Sequence, residues 1–240
     1  HRRRHSFPTR RSSDLADLKL HTKLMLIGTT LLIVLGVIIF LGVEWANPKT
    51  LGPLPMWDKV MAAIFQSVTP RTAGIATVDY GQLHPITLFV SIILMFIGAG
   101  PNSTGGGVKI STVMVAILAS CTLFNNRSDV EVFGRRISMV TVLKANGIIF
   151  LSLLLVLLAT CYLAWDEPFD FIRLLFEVTS AFGTVGLTTG ITPDLSESSK
   201  WVLILVMFTG RVGVMTVIGT WALRTKPNKP ISYAEENVML

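Results

Sequence analysis

Three long apolar runs, Leu24–Val43, Thr141–Ala164 and Trp201–Leu223, dominate this 240-residue chain. Each is long enough to cross a bilayer core as a helix, which takes about 20 residues. None carries the polar stripe that a helix facing water needs. A fourth apolar stretch, His84–Leu123, is interrupted in its middle. Charged residues make up 15% of the chain, against about 25% in a soluble domain. The chain therefore reads as an all-α membrane protein with several spans.

The same inventory argues against other classes. Cys121 and Cys161 sit in or at the end of apolar runs without metal-ligand spacing, and read as packing residues. The histidines are scattered. No paired catalytic carboxylates, Ser/His/Asp set or metal cluster stands out, so no enzyme activity and no metal beyond a transported ion is expected. The net charge of +6 does not point to nucleic acid, because many of its cations fall in the first 23 positions. Residues 1–15, HRRRHSFPTRRSSDL, lack the apolar segment of a signal peptide. They resemble translated sequencing adapter and are read as non-native.

The remaining cations orient the spans. Lys19 and Lys23 precede the first; Arg127, Arg135, Arg136 and Lys144 surround the start of Thr141–Ala164; Arg224, Lys226 and Lys229 follow the last. The other connections are acidic or mixed. Cytoplasmic loops carry the Lys/Arg excess, so these three clusters belong inside. Each half then has one span out and one back, with an apolar outer segment between.

Those outer segments match each other. One is MWDKVMAAIFQSVTPRTAGIATVDYG (56–81) and the other FDFIRLLFEVTSAFGTVGLTTGITPD (169–194). Each has an aromatic and acidic start, roughly ten helix-compatible residues, then Thr-x-Gly before Ile or Leu. Ten or eleven helical residues rise about 16 Å, half of a core about 30 Å thick. Such a helix must return as non-helical backbone, tolerated at that depth only when buried in protein or lining a wet cavity. Rings of main-chain carbonyls can replace a cation's hydration shell, as in the TVGYG loops of potassium channels; Thr184–Val185–Gly186 repeats the first three letters, and Thr72–Ala73–Gly74 is the looser counterpart. The expected unit is span, short pore helix, extended filter segment, span, and it occurs twice.

The interrupted stretch Pro85–Leu123 is 39 residues long, about 58 Å as one helix. Its middle, GAGPNSTGGGVK, predicts two half-helices around an intramembrane loop, in which Asn102, Ser103 and Thr104 can bond freed backbone groups. Gly100 and Gly105 have the first spacing of a phosphate-binding P-loop, but Gly106 stands where that motif needs Lys.

SVTPRTAGI (67–75), GAGPNSTGGGVKIS (98–111) and FTGRVGVMTV (208–217) together resemble the potassium-translocating subunits of bacterial Ktr and Trk uptake systems, the Ktr type most closely. The similarity runs from about Lys19 to the end. Family members have four span–pore-helix–span repeats around one pore. The resemblance implies that 16–124 is the third repeat, with its broken second span, and 141–225 the fourth. Residues 125–140 would be a cytoplasmic linker and 226–240 a cytoplasmic tail, with the first two repeats upstream.

By the same resemblance, the ion-binding filter backbone falls on Thr72, Ala73, Gly74 and Ile75, and on Thr184, Val185, Gly186 and Leu187. One filter glycine per segment, where potassium channels have two, suggests weaker Na⁺ exclusion. The gate falls on Gly98, Gly100, Asn102, Ser103, Thr104, Gly105, Gly106, Gly107 and Lys109, obstructing the pore until it moves, with Arg211 beside it.

Arg211 is a charge in mid-span, which marks a functional position by default; the other reading is an arginine reaching for the interface. Lys109 either neutralises the loop or reaches the cytoplasmic side. Arg71 either offsets the partial negative charge at the end of the 58–68 helix or pairs with Glu177. The implied activity is K⁺ transport across a bacterial plasma membrane. The implied partners are a second copy, in a homodimer, and a cytosolic ring of nucleotide-binding regulatory proteins docked on 125–144 and 224–235. No cofactor is expected; K⁺ is cargo, with Na⁺ as a candidate activator. The rival readings are a secondary transporter with broken helices working by alternating access and a non-transporting scaffold.

Overall fold

The structure, a computed structural model, describes residues 20–101, 103, 105–124 and 130–216. The non-native reading of 1–15, Arg127, Asn102, Thr104 and the proposed docking tail 224–235 lie outside those residues.

The two longest helices are α1 (Leu20–Glu44) and α5 (Met139–Asp166), with 25 and 28 residues. They measure about 37 and 42 Å, enough to cross a bilayer core with some tilt. Leu31, Ile38, Phe150 and Leu158 on these helices are each more than half exposed. Such a surface is anomalous in water and suits lipid.

A shorter helix follows each: α2 (Met56–Val68) after α1 and α6 (Phe171–Gly183) after α5, both 13 residues. At about 20 Å they are longer than the sequence suggests, yet fall well short of a span. The chain then runs without helix or strand for several residues before a short 3-10 turn, Tyr80–Gln82 in the first half and Thr192–Asp194 in the second.

The interrupted stretch forms two helices, α3 (Pro85–Phe96) and α4 (Ile110–Phe124), with the glycine-rich loop between them. Pro85 opens α3, where its missing N–H costs nothing. The loop is closed at its neck by a parallel bridge between Ile97 and Val108. Gly98 N donates to Val108 O at 2.9 Å, and Val108 N to Phe96 O at 3.1 Å. Backbone polar groups freed by the break are thus partly satisfied within it, as an apolar setting requires.

Two features depart from the expectations. The last apolar run is not one helix through Leu223: α7 (Glu197–Val212) ends at Gly213, whose φ of 93° is open mainly to glycine. The linker also has structure of its own. Strands β1 (Val130–Val132) and β2 (Arg135–Ile137) pair antiparallel across Phe133 and Gly134, whose φ values of 50° and 69° suit a two-residue turn matched to strand twist. Lys23 Nζ lies 5.4 Å from the centre of the Phe133 ring, so the hairpin packs beside the start of α1.

The two halves interlock. Helix α3 packs on α6, and α6 on α5 and α7. Phe96 of α3 stacks on Phe182 of α6 with centroids 5.7 Å apart, and Tyr80 meets Phe176 at 5.3 Å. Val185 and Leu187 are buried in a cluster built largely by the first half: Phe40, Ala63, Tyr80, Leu88, Ile92 and Met95.

An acid at the end of each long helix ties in place the helix that follows the turn. Glu44 is fully buried and accepts from His84 N at 2.9 Å and Thr87 Oγ1 at 2.6 Å at the start of α3. Asn47 and Thr50 bond its other oxygen. In the second half Glu167 accepts from Ser196 N at 2.7 Å, and Asp166 from the hydroxyls of Ser196, Ser198 and Ser199 at the start of α7.

Candidate functional site

Helices α2 and α6 both end at a Thr-x-Gly turn with the same backbone signature. Thr72 and Gly74 have φ of 75° and 68°; Thr184 and Gly186 have φ of 52° and 90°. In a regular strand successive peptide units face opposite ways. Left-handed φ at alternate positions breaks that regular alternation in both turns. Glycine accepts that geometry without strain. A β-branched threonine does so rarely, so Thr72 and Thr184 are held there by their surroundings.

Side chains of the helix ends hold the turns. Thr69 Oγ1 donates to Ile75 O at 2.6 Å and accepts from Ile75 N at 3.0 Å. Ser180 Oγ donates to Leu187 O at 2.6 Å, and Val185 N bonds Ser180 O at 2.9 Å. In both turns a hydroxyl grips the carbonyl of the residue after the glycine. The second turn has one extra residue between donor and glycine.

A second brace lies one turn back. Gln66 Nε2 donates to Thr77 Oγ1 at 2.8 Å, and Gln66 Oε1 accepts from Tyr80 OH at 2.5 Å. Glu177 Oε1 accepts from Thr188 Oγ1 at 2.8 Å, Thr189 N at 2.8 Å and Thr189 Oγ1 at 3.0 Å; Oε2 accepts from Thr192 Oγ1 at 2.7 Å. Thr77 and Thr189 each follow their turn's glycine by three residues, so Gln66 and Glu177 do equivalent work. Sequence reading missed this brace. The signal was there: Gln66 and Glu177 each follow a phenylalanine, Phe65 and Phe176, in matching helices.

The two turns meet. A Cβ on Gly74 would lie 2.0 Å from Val185 O and 3.8 Å from Gly186 Cα. Val185 and Leu187 are buried while Gly186 is exposed, so the side chains on either side of the glycine anchor the segment. A cavity of about 520 Å³ opens along Thr184–Thr188, bounded by Glu177, Ser180, Leu203 and Met207.

The glycine-rich loop lies against both threonines. Gly106 N donates to Thr184 Oγ1 at 2.9 Å, and a Cβ on Gly105 would lie 2.7 Å from Thr72 Cγ2. Gly98 faces the carbonyl of Gly106 so closely that a Cβ would meet it at 2.1 Å. Ser103 stabilises the loop locally, donating from Oγ to Gly100 O at 2.9 Å. Gly107 has φ of 75°.

Lys109 Nζ bonds Gly105 O, so this side chain turns back onto the loop. Arg211 lines a cavity of about 210 Å³ together with Lys109, Gly107, Gly210 and Gly213. Arg211 thus stands beside the loop's inner end, just before the break at Gly213.

Arg71 does not pair with Glu177. Its Nη2 donates to Thr29 O of α1 at 3.2 Å, while Glu177 is occupied by threonines. The polar ring of Thr188, Thr189 and Thr192 satisfies the carboxylate inside its own half, and Arg71 instead pins the first turn to α1.

Known proteins resemble this chain over most of its length. A family model described as TrkH, cation transport protein, matches residues 9–228. The Ktr system potassium uptake protein B of Vibrio alginolyticus is 42% identical over 222 residues, covering 92% of this chain and 48% of that protein. Its Bacillus subtilis namesake is 39% identical over 209 residues, covering 87% and 47%. The potassium/sodium uptake protein NtpJ of Enterococcus hirae is 39% identical over 230 residues, covering 92% and 50%. The chain spans about half the length of these relatives. In structure it superposes on the potassium transporter TrkH of Vibrio parahaemolyticus with a TM-score of 0.67 at 21% identity, covering 85% of this chain and 44% of that one.

Proposed function

This chain belongs to the TrkH family of cation transport proteins, and from that premise we propose that its two Thr-x-Gly turns line a path for K⁺. It is a mostly helical integral membrane protein of the plasma membrane, in a family of transporters rather than enzymes. Thr72–Ile75 and Thr184–Leu187 supply the main-chain oxygens that stand in for water around the ion.

One observation carries this reading: two segments 112 positions apart share the same alternation of left-handed φ and lie in contact at Gly74 and Val185. The C-terminal ends of α2 and α6 adjoin the turns, and the partial negative charge of a helix C-terminus favours a cation there. Relatives named for potassium uptake, and one for potassium and sodium, support a monovalent cation as the cargo. Two more segments of the same kind would complete a ring of four.

The loop from Gly98 to Lys109 is the gate in this reading. Its support is position: Gly105 and Gly106 lie against Thr72 and Thr184, and Arg211 shares a cavity with Lys109. Opening requires the loop to leave the threonines. The transporter works as a homodimer on a cytosolic nucleotide-binding ring, with the hairpin at the inner face as part of the docking surface. Nothing in the geometry favours alternating access over this arrangement.

Substitution at the second glycine tests the path. Gly186→Ser in the whole natural protein should lower K⁺ flux or K⁺ over Na⁺ preference, because serine resists a φ of 90°. Unchanged uptake and selectivity would contradict the assignment.

A further inference from the structure

We propose that the Thr184 hydroxyl is a shared acceptor at which a permeating cation and the closed loop compete, so that ion occupancy itself helps to unseat the gate. This rests on the path and gate readings above and concerns how the two communicate.

The geometry is specific. Gly106 N donates to Thr184 Oγ1 at 2.9 Å. The contact needs glycine, since a Cβ on Gly106 would lie 2.8 Å from both Oγ1 and Cγ2 of Thr184 and 3.1 Å from Gly210 O. Beside it Gly105 packs against the Thr72 methyl, and Lys109 holds the Gly105 carbonyl from its other side. The loop is therefore seated on the inner residue of each turn, by a polar contact at Thr184 and an apolar one at Thr72.

Thr184 opens its turn, ahead of the carbonyls of Val185 and Gly186, so its hydroxyl marks the loop-side end of the path. A hydroxyl oxygen offers two lone pairs. The Gly106 amide takes one from the loop side and brings its partly positive hydrogen with it. A cation approaching the same oxygen meets that hydrogen, and the two repel. Occupancy at this end and the seated loop thus disfavour each other, and by linkage each lowers the affinity for the other by the same factor.

The backbone strengthens the argument. Thr184 is β-branched and holds φ of 52°, a conformation that glycine would adopt without strain. A side chain kept at a strained position points to a task for that side chain, and the bond this hydroxyl makes to the loop supplies one.

Hydrogen exchange of the segment spanning Gly98–Lys109 tests this in the whole natural protein in lipid nanodiscs, in K⁺ against N-methylglucamine, with rubidium uptake by the same preparation in liposomes. The expected result is exchange about five-fold faster in K⁺, the worth of one hydrogen bond. Thr184→Val should exchange fast in both solutions, and Thr184→Ser, which keeps the hydroxyl, should restore the K⁺ dependence. Exchange that is unchanged or slower in K⁺, with rubidium uptake intact, overturns the coupling and leaves the path standing. A Ser variant as fast as the Val variant in both solutions overturns the role of the hydroxyl. Absence of rubidium uptake overturns the path reading, and the coupling with it.

Discussion

Gly74 touches the main-chain carbonyl of Val185 with no room for a side chain: a Cβ there would sit 2.0 Å from that oxygen. The two residues lie in different halves of the chain, and this contact is where the Thr-x-Gly turns meet.

Gly74→Ala must therefore push the turns apart as well as strain a φ of 68°. The strain alone costs about 1–3 kcal/mol. Uptake should fall by at least about ten-fold, the effect of 1.4 kcal/mol on a rate. Gly42→Ala is the control, because nothing lies within 4 Å of its Cβ and helix α1 gains from alanine. Equal loss in both variants, measured as rubidium uptake, would contradict the role of the contact.

Glu177 accepts four hydrogen bonds from the segment beyond Gly186. Glu177→Gln keeps the shape but puts an NH₂ donor where an oxygen accepted. Bonds to charged groups are worth about 1.5–3 kcal/mol each, so a loss of about 2–3 kcal/mol is expected, seen as a lower Tm. Gln66→Ala, which frees Thr77 and Tyr80 from a neutral partner, should cost less. The reverse order would show that the carboxylate is not the main brace.

Much of this arrangement was legible because it is written in periodicity and spacing. Apolar length marked α1 and α5, and the doubled Thr-x-Gly marked the turns. The glycines between Gly98 and Gly107 marked the break in the apolar stretch His84–Leu123. What escaped was set by three-dimensional partners. Glu177 and Arg71 look like an ion pair in one dimension, but Thr188, Thr189 and Thr192 reach the carboxylate first. Gly213 lies inside an apolar run whose composition says helix, and only its φ of 93° reveals the end of α7. The hairpin hides in a short charged linker, where Gly134 supplies the turn.

Gly98→Ala should loosen the gate. Its Cβ would lie 2.1 Å from Gly106 O, so the loop cannot close on itself and seat Gly106 on Thr184. Flux should rise several-fold while Tm changes little. Reduced flux in a folded protein would contradict the loop's role as an obstruction.

Gly213→Ala tests the break after Arg211. The nearest side-chain atom to a Cβ is 3.8 Å away, so backbone strain is the main cost, about 1–2 kcal/mol. A Tm lower by a few degrees is expected. An unchanged Tm would mean that α7 tolerates continuation through this point.

The central claim is that Thr72–Ile75 and Thr184–Leu187 aim their main-chain oxygens at one cation path. The most direct measurement is anomalous scattering from rubidium in crystals of the whole natural protein. Rubidium should lie on the axis between these two segments, coordinated by carbonyl oxygens of both. Rubidium bound elsewhere, with Gly74 and Gly186 separated or facing lipid, would contradict it.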